Sequence, residues 1–155
     1  MGSFQIRGES GAEGTTLRLT GTLDEHANVG AAFGSLQGPV VINMRGVERI
    51  NSMGVHRWLS AFNALTAREK VVVEEVPYPI AMQANMVASF FGQAEVRSAA
   101  APYYCAACKA TREVIVNRTD VDKKGAAPAK QCPKCSQPME FEELDGYFAF
   151  FESAE

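Results

Sequence analysis

The four cysteines of this chain, Cys105, Cys108, Cys132 and Cys135, all lie in its last third and form two C-x2-C pairs, "CAAC" and "CPKC", 23 residues apart. No other feature restricts the fold as much. Two such pairs, each on a tight turn, let four thiolates converge tetrahedrally on one ion, with metal–sulfur distances of about 2.3 Å for zinc. The spacing predicts a four-cysteine zinc ribbon, with iron as the alternative metal, since an all-sulfur tetrahedral site suits either. A redox C-x-x-C is disfavoured because neither pair sits inside a strand–helix–strand unit. Four cysteine ligands fill the coordination shell, so the expected Zn2+ is structural and not catalytic.

The flanks fit a ribbon. "REVIV" (112–116) reads as a strand between the two pairs. "MEFEELDGYFAFF" (139–151) reads as two runs joined at Asp145-Gly146, a favoured hairpin dipeptide. Its aromatics, Phe141, Tyr147, Phe148, Phe150 and Phe151, are expected to cover the ribbon and pack on the rest of the chain before they face a partner. "TDVDKKGAAPAK" (119–130) reads as a surface loop.

The first two-thirds has no cysteine and a different pattern, which predicts a boundary near "RSAAAPYY" (97–104). With 155 residues the chain can hold a domain of about a hundred residues and a small second unit. Strands are expected at 4–7, at "TLRLT" (16–20), at the almost wholly apolar "PVVINM" (39–44), at "VVVEE" (71–75) and at 95–98. Helices are expected at 25–36, along Val55, Trp58, Leu59, Phe62, Leu65 and Thr66, and at 79–91. Strands alternating with helices predict an α/β fold: a mixed sheet with helices packed on it, plus the small β-rich ribbon.

Between the apolar strand and the second helix stands "INSMG". Asn51 and Ser52 are both suited to cap a helix. A nucleophilic serine would need the glycine that precedes it in G-x-S-x-G and a histidine base. The first is missing, and His56, with His26 one of two histidines, faces solvent by its helical register. Catalysis is therefore not expected at any residue.

The element order, with "VVINMRGVERINSMGVHRWLSAFNAL" (40–65) at its centre, resembles the STAS domain, the fold of the anti-sigma factor antagonists. The resemblance covers about residues 4–98, so that 1–98 is expected to be a STAS-like domain and 99–155 a zinc ribbon with a C-terminal β-hairpin. It implies a non-enzymatic regulatory module whose partner is an anti-sigma factor or a serine-kinase-like regulator. In the family a D-S-S-G-like turn precedes the helix; here Asn51, Ser52, Met53 and Gly54 occupy it. Met53 replaces the serine that receives phosphate, which points to a standing docking surface formed by Asn51, Ser52, Met53, Gly54, His56 and Arg57. Membership of a transport or scaffold assembly is an alternative within the same family.

Charge bears on the remaining classes. The net charge of −3 gives no general attraction to nucleic acid or membrane. Residues 109–130 carry six basic and three acidic side chains, a local excess of +3, but the aromatics lie in the acidic stretch 136–155. A nucleic-acid-associated transcription accessory factor acting through the ribbon is thus the second reading. No apolar run approaches the roughly 20 residues that span a bilayer, and no signal peptide is recognisable. The chain is expected to be cytoplasmic, which also disfavours disulfides.

Overall fold

The computed structural model describes residues 3–12, 14–143 and 146–151. It is mixed α/β, with two sheets. The first is built from β1 (Gln5–Gly11), β2 (Gly14–Leu23), β3 (Val40–Ile50), β4 (Val71–Glu74) and β5 (Glu95–Val96), in that spatial order. β1 and β2 form an antiparallel hairpin, and β2 to β5 run parallel. Parallel neighbours need crossovers, and these are α1 (Val29–Gly34), α2 (Ser52–Arg68) and α3 (Tyr78–Met86).

Alternation along the strands separates the two faces of this sheet. Leu17, Leu19 and Leu23 of β2, Ile42 of β3 and Val73 of β4 point to one face and are buried. The other face carries Arg7, Arg18 and Arg45, all exposed. The almost wholly apolar stretch 39–44 reads as a strand covered on both faces; there Val40, Ile42, Asn43 and Met44 are buried and Val41 half-buried, and exposure on the second face begins with Arg45, just beyond it. Asn43, the buried polar residue, is satisfied by hydrogen bonds.

The helices close the apolar face. α2 buries Trp58, Phe62, Leu65 and Thr66 and leaves Val55 and Leu59 half-buried. Trp58 stacks on Phe62 with 4.5 Å between ring centroids, meets Phe33 of α1 edge-on, and donates its indole N–H to the Phe90 carbonyl at 2.8 Å. Burying rings of this size stabilises by about 1.5–3 kcal/mol each. Two helices are shorter than expected. α1 begins at Val29, since Gly30 and Gly34 lower helix propensity in so short a segment. α3 ends at Met86, and 88–93 is a run of turns that brings Phe90 and Phe91 down onto Trp58 and Phe62.

The second sheet has the order β7-β6-β9-β8, from β6 (Ser98–Cys105), β7 (Ala110–Asn117), β8 (Lys130–Gln131) and β9 (Pro138–Phe141). The stretch expected to be a boundary is therefore a strand. Ala99, Ala100 and Ala101 are fully buried, and Ala100 N–H bonds the Val76 carbonyl at 2.8 Å. Glu75 makes the handover. Its left-handed backbone (φ 53°) turns the chain at the end of β4, its carboxylate accepts from Asn43 Nδ2 at 2.8 Å, and its N–H donates to Ser98 Oγ at 2.8 Å.

Residues 147–151 form a turn and a short 3-10 helix, not the second arm of a hairpin; Asp145, at the expected hairpin turn, lies outside the described residues. The reason is in the spacing. Tyr147, Phe148, Phe150 and Phe151 are all buried, and a strand with that pattern would put rings on both faces. The 3-10 turn brings Phe150 to within 6.3 Å of Phe91 and stacks Phe148 on Phe141 at 5.4 Å. Tyr147 and Tyr103 each donate a buried hydroxyl to a carbonyl, of Ala100 at 2.9 Å and Pro128 at 2.7 Å. Burial pushes the Tyr103 phenol up to about 12. Both sheets share one continuous apolar cluster.

Candidate metal centre and the helix-start corner

Each cysteine pair sits at the tip of a strand pair. β6 ends at Cys105, which pairs with Ala110 at the start of β7, so the first knuckle is the turn between them. The second knuckle joins β8 to β9, beyond the Gln131–Pro138 pair. The residue after the second cysteine is left-handed in both, Lys109 at φ 54° and Ser136 at φ 64°. Neither is glycine, so each costs of order 1 kcal/mol of backbone strain. In return the knuckle folds back on itself: the Cys108 N–H points at Cys105 Sγ at 3.3 Å, and the Ser136 N–H bonds the Cys132 carbonyl at 2.8 Å.

The four sulfurs lie within 4.8 Å of one another. Cys105 Sγ is 3.4 Å from Cys135 Sγ, and Cys108 Sγ is 3.9 Å from Cys132 Sγ. A tetrahedron with bonds of about 2.3 Å has sulfur–sulfur edges of about 3.8 Å, so the cluster has the dimensions of a four-thiolate site and could hold a metal ion. Cys105 and Cys132 are buried, and Cys108 and Cys135 are half-buried. Among the described residues no other group of three or more histidine, cysteine or carboxylate side chains converges in this way.

Four thiolates around a divalent ion leave net negative charge, which nearby donors must offset. Arg112 does so, its Nε donating to Cys132 Sγ at 3.3 Å. Burial opposes ionisation of Cys132, but the backbone amides of Cys135 and Lys134 and the Arg112 guanidinium outweigh it and bring the thiol down to about 6. The Gln137 amide favours the Cys135 thiolate, yet the crowding sulfurs of Cys105, Cys108 and Cys132, with burial, push that thiol up to about 12. A dense set of sulfurs of this kind ionises fully only around a cation. Sequence reasoning passed over Arg112. The signal was available in the strand register: Tyr103 pairs with Arg112 two residues from the Cys105–Ala110 pair, which puts position 112 on the sulfur's side of the sheet.

The second candidate region is the start of α2. Asn51 is its cap: the backbone is extended (φ −110°, ψ 178°) and Oδ1 accepts from the Gly54 N–H at 2.8 Å. The Asn51 N–H is itself tied to the Leu23 carbonyl at 3.1 Å. Gly54 is required by close approach, since a Cβ there would overlap the Leu23 carbonyl oxygen. These two residues seat the corner on the end of β2 and leave Ser52 and Met53 outside. Ser52 is the first helical residue; it is exposed and its hydroxyl has no hydrogen-bond partner among the described residues. Met53 is 46% exposed, one of three exposed large apolar side chains among the described residues.

His56 and Arg57 are exposed on the next turn. With Met53, Ala27, Val29 and Gly30 they line a shallow groove of about 320 Å³ between α1 and α2. Ser52 does not line it, so the groove brings no histidine to the corner serine. His26 is exposed beside Glu25, 3.9 Å away. The structure thus brings Asn51, Met53, Gly54, His56 and Arg57 to one corner, with Asn51 and Gly54 as its foundations, and places the four cysteines at the far end of β6. No helix among the described residues is long and apolar enough to cross a membrane. Comparison with protein-family models and with curated proteins returns no match for this chain.

Proposed function

We propose that this chain is a non-enzymatic, regulatory protein–protein interaction module of the STAS type, resembling the anti-sigma factor antagonists, with a structural Zn2+ in its ribbon. The observation that carries the reading is the corner itself. Asn51 and Gly54 anchor it from beneath, so Ser52, Met53, His56 and Arg57 are presented on rigid backbone and not on a loose loop. The element order from β1 to β5 follows the order on which the resemblance rests. Methionine adapts its shape to a partner surface, and the exposed amides and positive dipole end of the helix favour an acidic group on that partner. The partner is an anti-sigma factor or a serine-kinase-like regulator in the cytoplasm.

The free Ser52 hydroxyl is the one group at the corner that could take a phosphate in place of the family's acceptor, where Met53 stands. A phosphate there would be held by the helix N-terminus and would change what docks on it. The rival nucleic-acid reading is weakened by burial: Tyr147, Phe148, Phe150 and Phe151 are packed inside and unable to stack on bases.

A pull-down from the native cell tests the reading. Wild type is expected to recover a defined partner and Met53→Asp to lose it; unchanged recovery removes the corner from the interface. Metal analysis of the purified chain is expected to give one zinc per chain, and stoichiometric iron in its place would replace the metal assigned here.

A further inference from the structure

Among the described residues, β1 has a neighbouring strand on one side only. The sheet order of the described residues places β2 beside it and nothing beyond, whereas the opposite edge, β5, is two residues long and leads directly into β6. β1 is seven residues long, exposed at all but Ile6, and contains neither proline nor lysine. An edge of that length offers a row of unpaired amides and carbonyls to another strand.

The charges on this edge lack partners. Arg7 stands directly opposite Arg18 of β2, and Glu9 opposite Thr16. All three charged side chains are exposed, and among the described residues none of them forms an ion pair. Like charges directly opposite on a sheet are unfavourable. The edge therefore carries a base beside a base, with an uncompensated acid two residues along on the same face.

We propose that β1 is a homodimer interface, in which two copies pair antiparallel along this edge about a twofold axis at Gly8. In that register Arg7 faces Glu9 of the partner subunit, and Glu9 faces Arg7 of the partner subunit. A twofold perpendicular to the sheet keeps the polar faces on one side, so both ion pairs form beside Arg18 on the exposed face. Ile6 meets Ser10 of the partner subunit on the other face. The two five-stranded sheets become one continuous sheet.

The same charges exclude the neighbouring registers. An axis at Arg7 sets Arg7 against itself, and an axis at Glu9 sets Glu9 against itself. β7, the outer strand of the second sheet, has no comparable register: an axis at Glu113 opposes Arg112 to Val114, and an axis at Val114 opposes Glu113 to Ile115.

Sedimentation equilibrium of the full chain, over a concentration series reaching the millimolar range, tests this. The expected result is a monomer–dimer equilibrium that weakens with added salt, because exposed charges are screened. Arg7→Glu or Glu9→Arg alone sets like charges opposite each other twice and is expected to weaken the dimer about tenfold or more. The double variant reverses both charges and is expected to restore it. Arg7→Glu places an acid beside Arg18 within each copy, so its monomer keeps its fold, which circular dichroism checks. A monomer at every concentration, a dimer that the single substitutions leave unchanged, or a double variant no stronger than the singles overturns the proposal.

Discussion

The two sheets reach stability by different routes. The first buries one face under helices with an ordinary aromatic and aliphatic core, in which Phe33, Trp58 and Phe62 touch ring to ring. The second has little interior of its own: Tyr103, Val116 and Met139 and the small side chains of Ala99, Ala100 and Ala101, together with the sulfurs of Cys105 and Cys132. A segment so short cannot bury enough apolar surface to fold alone. It draws on an aromatic tail that it shares with the first half, through the Phe91–Phe150 contact, and on the clamp that a metal ion in its four-sulfur cluster would supply. What is a core on one side is a clamp and a borrowed core on the other.

Removing the proposed zinc should separate the two sheets most sharply, since zinc bound by small metallo-domains contributes about 10–16 kcal/mol of apparent binding free energy. Chelation, or Cys132→Ser, is expected to strip hydrogen-exchange protection from β6 to β9 while the amides of β2 to β4 stay protected. Equal retention in both sheets would mean that packing alone holds the ribbon. Next in size is the shared tail. Phe150→Ala leaves a cavity between the halves and is expected to cost about 3–5 kcal/mol, read as a lower melting temperature with both sheets affected together. If only the ribbon loosens, the core is less continuous than its contacts suggest. The smallest effect belongs to the corner: Asn51→Ala is expected to cost about 1 kcal/mol in denaturant unfolding, and Ser52→Ala close to nothing. The reverse order would make Ser52 the cap.

The sequence was most legible where one periodicity acted alone. α2 is amphipathic over its whole length, and its buried positions fall where the spacing puts them. The cysteine pairs likewise specified the four-sulfur cluster and its knuckles. The corner was ambiguous because Asn51 and Ser52 cap equally well in principle; the extended backbone at Asn51 decides between them. Two segments carried less in the sequence than the structure shows, for physical reasons. The boundary placed near 97–104 rested on where the cysteines begin, which says nothing of local structure; the alanines let β6 pack closely against neighbouring elements, and Pro102 still offers its carbonyl to Glu142 N–H at 3.0 Å. After Gly146 the dipeptide signal suggested a hairpin, while the pairs of adjacent rings at 147–148 and 150–151 called for a turn that can bury all four.

β6 begins in hydrogen bonds to Glu75 and Val76, just past β4, and finishes on the first sulfur of the cluster. It therefore acts as a ruler with a two-residue graduation. Adding or deleting a single residue within it would swing Cys105 to the opposite side of the sheet, whereas loops elsewhere absorb such changes freely. Length variation between the two halves of this molecule is thus quantised by the parity of a strand.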